Sequence, residues 1–462
     1  MTTTPVQPVE KPVENSPKRR YLDEMPEVIE NPGGEHFSPA KRIGDCLRAE
    51  MLRNPHLYLF SPDETTSNKL DAAYAEQARA WVLPTRAWDL PESANGRIVE
   101  LLSENTLFAA MVGHVLGSRE PAFMTSYESF FEIIASQILQ HLKFLKQIDE
   151  CKWRTGPATI EQGDPCEPLA PAHRHGRSCA IPPRTSARSQ GHTYSTCHPS
   201  AFPAINLLST STCWRQDHNG FSHQSPALIS TLLDVPTNKV NCLFPVDDVA
   251  ATAAFDFMLS SENVVNLTTF NKTDEPRFID KNHADFQYQN GGASIFGFVS
   301  NISEDETPDL VLTAAGDIVS REAIMAAEMI KTDIPSARIR FVGITALTHG
   351  AIGTADHHFS QATFDRYFGQ NCPIIANFHG YAHTLKTILS NYTDGRRVLA
   401  HGFSEQGSTT TPLEMLTLNH ASRFDLAAEA AEMLGRPDLA EKYRQMIRDN
   451  HAFALQNGID MI

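Results

Sequence analysis

Short apolar, β-branched runs alternate with stretches of helical spacing along this chain, and that alternation is what most narrows its fold. NKVNCLFPVD (238–247), NVVNLTTF (263–270), PDLVLTAAG (308–316) and RIRFVGI (338–344) read as strands, each set off by helical sequence. Upstream, RIGDCLRAEMLRN (42–54) reads as a short helix, HLYLF (56–60) as a strand, and SPDETTSNKL (61–70) as a polar loop opening a helix with Ser67 and Asn68 as caps. RIVELLSENTLFAAMVGHVLG (97–117) is a strand-turn-helix unit, and SYESFFEIIASQILQHLKFLKQI (126–148) carries apolar residues at helical spacing. Strands alternating with helices imply an α/β fold, with mainly parallel sheets covered on both faces. From about residue 300 the pattern repeats separately, so the expectation is two doubly wound domains, 37–298 and 299–462.

Two stretches fall outside that pattern. Residues 1–36 are rich in Pro, Glu and Asn with few large apolar groups, a composition expected to leave a disordered arm. Residues 154–201 are dense in Pro, Ser and Thr, locally basic and without periodicity, which argues against ordinary folding inside a compact domain. A chain of 462 residues would otherwise hold about three domains at roughly 150 residues each. Its formal charge of -16 argues against a nucleic-acid binder, which would normally show a basic face to collect phosphates. No run of about 18 apolar residues offers a membrane span, and the N-terminus lacks the apolar core of a signal peptide, so a cytoplasmic location is expected. Eight scattered cysteines read as reduced thiols. The cluster HRHGRSC with Cys166, Cys179, Cys197 and His198 matches no zinc spacing, and no metal ligand is assigned.

The chemistry is concentrated in CWRQDHNGFSHQSP (213–226), which holds Arg, Gln, Asp, Asn and two His in nine residues. Alone, this is either a satisfied polar loop or a catalytic one. Glu104 in LSEN is equally open: a carboxylate at a strand end caps a helix or faces solvent more often than it reacts.

Taken together, LYLFSPDETTSNKL (57–70), GRIVELLSEN (96–105), TSYESFFEI (125–133), WRQDHNGFSHQSP (214–226), AAGD (314–317), FHGYAH (378–383) and HGFSEQGSTTTP (401–412), in this order, resemble the phosphoketolase family of thiamine-diphosphate enzymes. SPDETTSN and WRQDHNGFSHQ are the most specific of them, and the resemblance covers nearly all of the chain outside the arm and 154–201. It implies the pyrimidine-binding domain of a thiamine enzyme followed by a transketolase-like C-terminal domain. The family's diphosphate-binding domain has no counterpart here. No Gly-Asp-Gly motif of the kind that brings oxygen ligands to Mg²⁺ occurs, and Gly316-Asp317 reads as a strand-end turn. The expectation is a truncated chain, with the Mg²⁺ ligands and several family histidines in an absent N-terminal domain.

The resemblance also implies roles. Glu104 would bond the ring nitrogen of the cofactor's aminopyrimidine, a task that suits a carboxyl kept partly protonated in a dry pocket. Tyr127 and Phe130 would line the cofactor pocket; the alternative is that both are ordinary core residues of an amphipathic helix. Gln216 and Asn219 would face sugar hydroxyls, and His218 the sugar phosphate. His223 would donate and accept protons at the reacting carbons, since histidine titrates nearest neutrality. Ser67 and Lys272 would add phosphate contacts, while Asp63 and Glu64 receive no firm role beyond ordering their loop. The implied reaction cleaves xylulose 5-phosphate or fructose 6-phosphate with inorganic phosphate. Its products are acetyl phosphate and glyceraldehyde 3-phosphate or erythrose 4-phosphate, made in a homodimer or higher oligomer. Two competing readings are a non-catalytic remnant that folds or pairs with full-length subunits, and a hydrolase using Asp217, His218 and His223. The second lacks a serine or cysteine elbow.

Removing 154–201 joins CKW to FPAINLLSTSTCWRQDHNGFSHQ in what reads as an uninterrupted family sequence. The hypothesis is a retained intron or an erroneous gene boundary, the alternative a genuine disordered insertion. Sequencing the transcript across these codons is expected to show them absent; a messenger encoding all of them would refute the hypothesis.

Overall fold

The computed structural model describes residues 21–75, 77–89, 92–150, 201–404 and 409–461. Residues 1–20 of the expected arm, and 154–200 with the HRHGRSC cluster, lie outside the described residues. By its packing the chain divides into one unit of Met1–Leu142 and Phe202–Ile462 and a second of Lys143–Ala201. The described part of the second is the end of a helix, Ala135–Glu150, and Ala201. The described strands all lie in the first unit.

In chain order the main ones are β1 (Tyr58–Ser61), β2 (Ile98–Glu100), β3 (Ala122–Tyr127), β4 (Ile205–Thr210), β5 (Val240–Leu243) and β6 (Val265–Thr269), then β7 (Ala293–Ile295), β8 (Leu310–Ala315), β9 (Ile339–Ile344), β10 (Ala346–Thr348), β11 (Ala351–Ile352), β12 (Ile374–Tyr381) and β13 (Val398–Phe403). The larger sheet runs β11-β10-β5-β6-β4-β3-β1-β2, continued by the short pairs Arg79–Ala80 and Glu92–Ser93. It is parallel from β5 outward, with β10 and β11 antiparallel at one edge. The second sheet runs β7-β9-β8-β12-β13, parallel except for β7. The two sheets exchange edge strands across the expected boundary at 298/299: β7 precedes it yet joins the second sheet, and β10 and β11 follow it yet close the first.

The strands β4, β6, β8 and β9 are buried along their whole length, as near-continuous apolar runs flanked by helices should be. Among the helices, α1 (Pro39–Arg53) starts at Ser38, whose hydroxyl accepts the Lys41 N–H, with Pro39 in the first turn where its missing donor costs nothing. The helix α2 (Glu104–Ser118) is capped by Ser103 and stopped by Arg119 in the left-handed region. The helix α3 (Asp248–Ser260) is buried on nearly every side, which explains its run of Ala, Val, Phe and Met. The loop read as opening a helix at Ser67 and Asn68 is instead a turn followed by a 3-10 segment, Asp71–Ala75. The SYESFF stretch is likewise 3-10 from Glu128 to Ile134 before the α-helix begins.

Residues 21–36, assigned by composition to the disordered arm, instead pack on this unit, with Tyr21 and Leu22 buried in its core and Met25 against it. Tyr21 is 1% exposed and donates its hydroxyl to Glu50 at 2.6 Å, while the backbone N–H groups of Tyr21 and Leu22 donate to Asp256. An aromatic of this size buries enough surface to hold an otherwise polar segment.

Asp247 anchors α3 from outside. Its carboxylate accepts the N–H of Ala250 at 2.8 Å, of Phe278 at 2.7 Å and of Ile279 at 3.0 Å. Burial, with the Asp248 charge beside it, pushes Asp247 up to about 7. A carboxyl raised on folding is stabilising while protonated, so its contribution is present below its unfolded value and lost as pH rises toward 7. We expect Asp247→Asn to cost about 1–3 kcal/mol for each N–H left without an acceptor. The advantage of the wild type over this variant in thermal melts should shrink from pH 5 to pH 8; an advantage that grows over that range would contradict the assignment.

Candidate active site

Strands β1, β2, β3, β4 and β6 are mutually parallel, so the segments leaving their C-terminal ends gather along one edge of the larger sheet. That edge is where open parallel sheets place ligands. There the chain brings together SPDETTSNKL after β1, LSEN after β2, TSYESFF at the end of β3, the 211–226 loop after β4 and FNK after β6.

Tyr127 and Phe130 form an aromatic wall, with ring centroids 5.7 Å apart and planes 19° from parallel. Both are half-buried, whereas Phe131 and Ile134 beside them are fully enclosed, so the wall borders a site rather than filling the core. His223 lies against it, 5.2 Å from the Phe130 ring and 6.0 Å from that of Tyr127. Its Nδ1 pairs with the Ser222 hydroxyl at 2.7 Å. Lys272 reaches over the Tyr127 ring, its ammonium 5.2 Å from the centroid, and donates to the Ser211 hydroxyl at 2.8 Å. Ser211 donates in turn to Asn68 Oδ1 at 3.1 Å, and Asn68 donates to Thr125. Ser211 has φ +51°, an uncommon conformation for a residue with a side chain, held by the strand before it and the loop after it.

Glu104 is the first residue of α2, at the electropositive end of that helix. A second carboxyl, Glu64, accepts the Tyr127 N–H at 2.8 Å. Burial pushes Glu64 up to about 7, the charge of Glu104 adding to the shift and the Tyr127 N–H opposing it. A carboxyl poised near neutrality in a cleft is suited to proton transfer. The Lys272 ammonium is pulled below its usual range, first by burial and then by Lys69, with Glu64 acting in the opposite sense.

The remaining candidates occupy different places. Gln216 is 1% exposed, and its amide is engaged inside the loop: it donates to the Ser211 carbonyl at 3.0 Å and accepts from Asn219 at 2.5 Å. Gln216 and Asn219 thus shape the loop through each other. His218 stands at the rim with its side chain 66% exposed, and Ser67 is exposed too, donating to the Glu64 carbonyl. Arg215 turns away to Glu275, which also takes Arg321. Sequence reading gave no site role to Glu64, Asn68 or Ser211. The first two sit inside the SPDETTSN motif, while the strained backbone of Ser211 leaves no mark in the sequence.

A buried group stands directly behind the wall. Glu128, next to Tyr127, accepts the Cys213 N–H and the Nε2–H of His379 on β12, each at 2.7 Å. Trp214, fully buried, donates its ring N–H to the His379 carbonyl at 2.8 Å. The loop, the wall and the second sheet are therefore joined at one point. At the front of this arrangement Glu104, at a helix N-terminus, is close enough to Glu64 for its charge to act there, and Glu64 accepts the N–H of Tyr127 in the half-buried wall, a set of groups that would suit a cofactor's aminopyrimidine. The diphosphate end finds no match: among the described residues, the only group of three or more His, Cys, Asp and Glu side chains close enough to hold a metal is Glu128, Cys213 and His379, which is not an all-oxygen set.

The family description D-xylulose 5-phosphate/D-fructose 6-phosphate phosphoketolase matches residues 41–161 and 189–261, and that of the XFP C-terminal domain matches 272–462. The first match breaks over 162–188, within the segment set apart by composition. A probable phosphoketolase of Methylococcus capsulatus is 29% identical over 449 residues, covering 94% of this chain and 49% of that protein. One of Nitrosospira multiformis is 31% identical over 443 residues, covering 93% and 48%. The chain thus spans about half the length of the curated relatives it matches. Among solved structures, transketolase from Pichia stipitis in complex with sedoheptulose 7-phosphate shares the fold, with TM-score 0.59 and 13% identity over 91% of this chain and 48% of that one. A split gene transketolase, described as an inactive beta4 tetramer, has TM-score 0.50 and 14% identity, covering 87% of this chain and 99% of that one. With matches running through the aromatic wall, the 211–226 loop and the whole second sheet, the chain belongs to the phosphoketolase family.

Proposed function

We propose that this chain carries the sugar-phosphate and pyrimidine side of a phosphoketolase, a carbon-carbon lyase of the aldehyde-lyase type. The substrate would be xylulose 5-phosphate or fructose 6-phosphate, cleaved with inorganic phosphate to acetyl phosphate and the shortened aldose phosphate. The observation that carries the reading is the convergence of Glu104, Glu64, Tyr127, Phe130, His223 and Lys272 at one sheet edge.

Each residue has a physical task there. Lys272 supplies a positive charge to the substrate phosphate, with His218 and Ser67 at the rim completing its approach. His223, packed on the wall, moves protons at the sugar hydroxyls. Glu104 holds a proton on the ring nitrogen of the cofactor, and Tyr127 with Phe130 bounds the ring and excludes water. Glu64 keeps Tyr127 in place and buffers protons beside Glu104. Gln216 and Asn219, bonded to each other, face the substrate only if their mutual bond opens when sugar enters. Thiamine diphosphate, when bound, supplies the electron sink for carbon-carbon cleavage.

We place the groups that hold the diphosphate and Mg²⁺ in the half of the family's length that this chain does not match, supplied by the same polypeptide or by a second subunit of a homodimer or larger oligomer. The organisation into a pyrimidine-binding domain, 37–298, and a C-terminal domain, 299–462, belongs to the same proposal. So do a cytoplasmic location and 154–201 as an insertion. No helix among the described residues is long and apolar enough to cross a membrane. A second reading, a non-catalytic chain that pairs with complete subunits, is favoured by one observation: a chain of this architecture exists as a separate polypeptide in the split gene transketolase.

The 462-residue chain alone, given fructose 6-phosphate, phosphate, thiamine diphosphate and Mg²⁺, is expected to form no acetyl hydroxamate on trapping with hydroxylamine. It should still bind fructose 6-phosphate in ligand-observed NMR, and Lys272→Met should weaken that binding by about tenfold, or roughly 1.4 kcal/mol. Turnover by the chain alone would overturn the division of labour, and unchanged binding by Lys272→Met would remove the phosphate role.

A further inference from the structure

The group behind the wall has properties that a structural ion pair leaves unexplained. Glu128, Cys213 and His379 each bring a donor atom within 4.8 Å of the other two. They come from three separate places in the chain: the start of the 3-10 segment after β3, the loop after β4, and β12. Their exposures are 3%, 0% and 0%, so water does not compete for them. Of the two His379 ring nitrogens, Nε2 is engaged by Glu128, and Nδ1 is buried with no hydrogen-bond partner. The ring is also held from behind. Gly316, at φ +120°, passes so close that a Cβ there would lie 2.7 Å from the His379 Cβ. The Trp214 ring N–H fixes the His379 backbone from another side.

We infer that Glu128, Cys213 and His379 form a buried binding site for one divalent cation of the zinc class. The donor set decides the class. A thiolate and an imidazole suit zinc or cobalt and are poor ligands for Mg²⁺ or Ca²⁺, which take oxygen. Three protein donors fill three positions of a tetrahedron and leave the fourth for a small ligand such as water.

Binding requires the Cys213 thiolate and a neutral His379 imidazole, so a divalent ion displaces protons from the site as it enters. In that state the ion would tie the residue beside Tyr127 to the loop that carries Gln216 and His223. This inference is independent of the proposed reaction.

The test is a titration of the full chain, dialysed against a chelator, with Co²⁺. One equivalent is expected to bind, with a thiolate-to-cobalt charge-transfer band in the near ultraviolet that Zn²⁺ then abolishes. Cys213→Ser should lose the band, and it should weaken binding beyond the roughly 10- to 100-fold that loss of an outer partner of a metal ligand costs. Cys242→Ser, which removes another buried thiol on β5, should leave both unchanged. Absence of the band in the wild-type protein, or its persistence in Cys213→Ser, would overturn the site. If Cys213→Ser fails to fold, the wild-type spectrum alone decides.

Discussion

The arrangement of this chain depends on one buried carboxylate. Glu128 accepts a backbone N–H from Cys213, 85 residues away, and the imidazole N–H of His379, 251 residues away. The first bond sets where the 211–226 loop leaves β4; the second pins the larger sheet to β12 of the other. A buried charge of this kind is tolerated only because it is paired and hydrogen-bonded, and removing one partner typically costs about 3–5 kcal/mol. Tyr127 and Phe130 flank Glu128 in sequence, so the same carboxylate that joins the sheets also orients the aromatic wall.

In front of that wall the chemistry arises from where parallel strands end. Because β1, β2, β3, β4 and β6 run the same way, their succeeding loops share an edge, and residues scattered from Glu64 to Lys272 become neighbours. Glu64 is pushed up to about 7 chiefly by burial, with the charge of Glu104 adding to the shift. Ser211, in a left-handed backbone conformation, lies between Lys272 and Asn68 and passes hydrogen bonds from one to the other.

Much of this was legible in the sequence, and what was not has physical reasons. The runs 238–247, 263–270, 308–316 and 338–344 all became strands, because short β-branched segments between helices have few alternatives in an α/β chain. The motif residues Glu104, Tyr127, Phe130, His223 and Lys272 do converge. Periodicity could not reveal the exchange of edge strands β7, β10 and β11, since pairing partners are chosen by tertiary contacts. Composition placed Tyr21 and Leu22 in the polar arm, where two buried apolar side chains outweigh their polar neighbours. The internal pairing of Gln216 with Asn219, and the raised carboxyl of Glu64, arise from neighbours brought together only by folding.

The central claim is that these converged residues form one sugar-phosphate site. Hydrogen-deuterium exchange of the 462-residue chain, with and without xylulose 5-phosphate, addresses it most directly. The account predicts added protection confined to 61–70, 125–131, 211–224 and 270–273. Protection absent from those segments, or confined to the second sheet around 310–345, would contradict it.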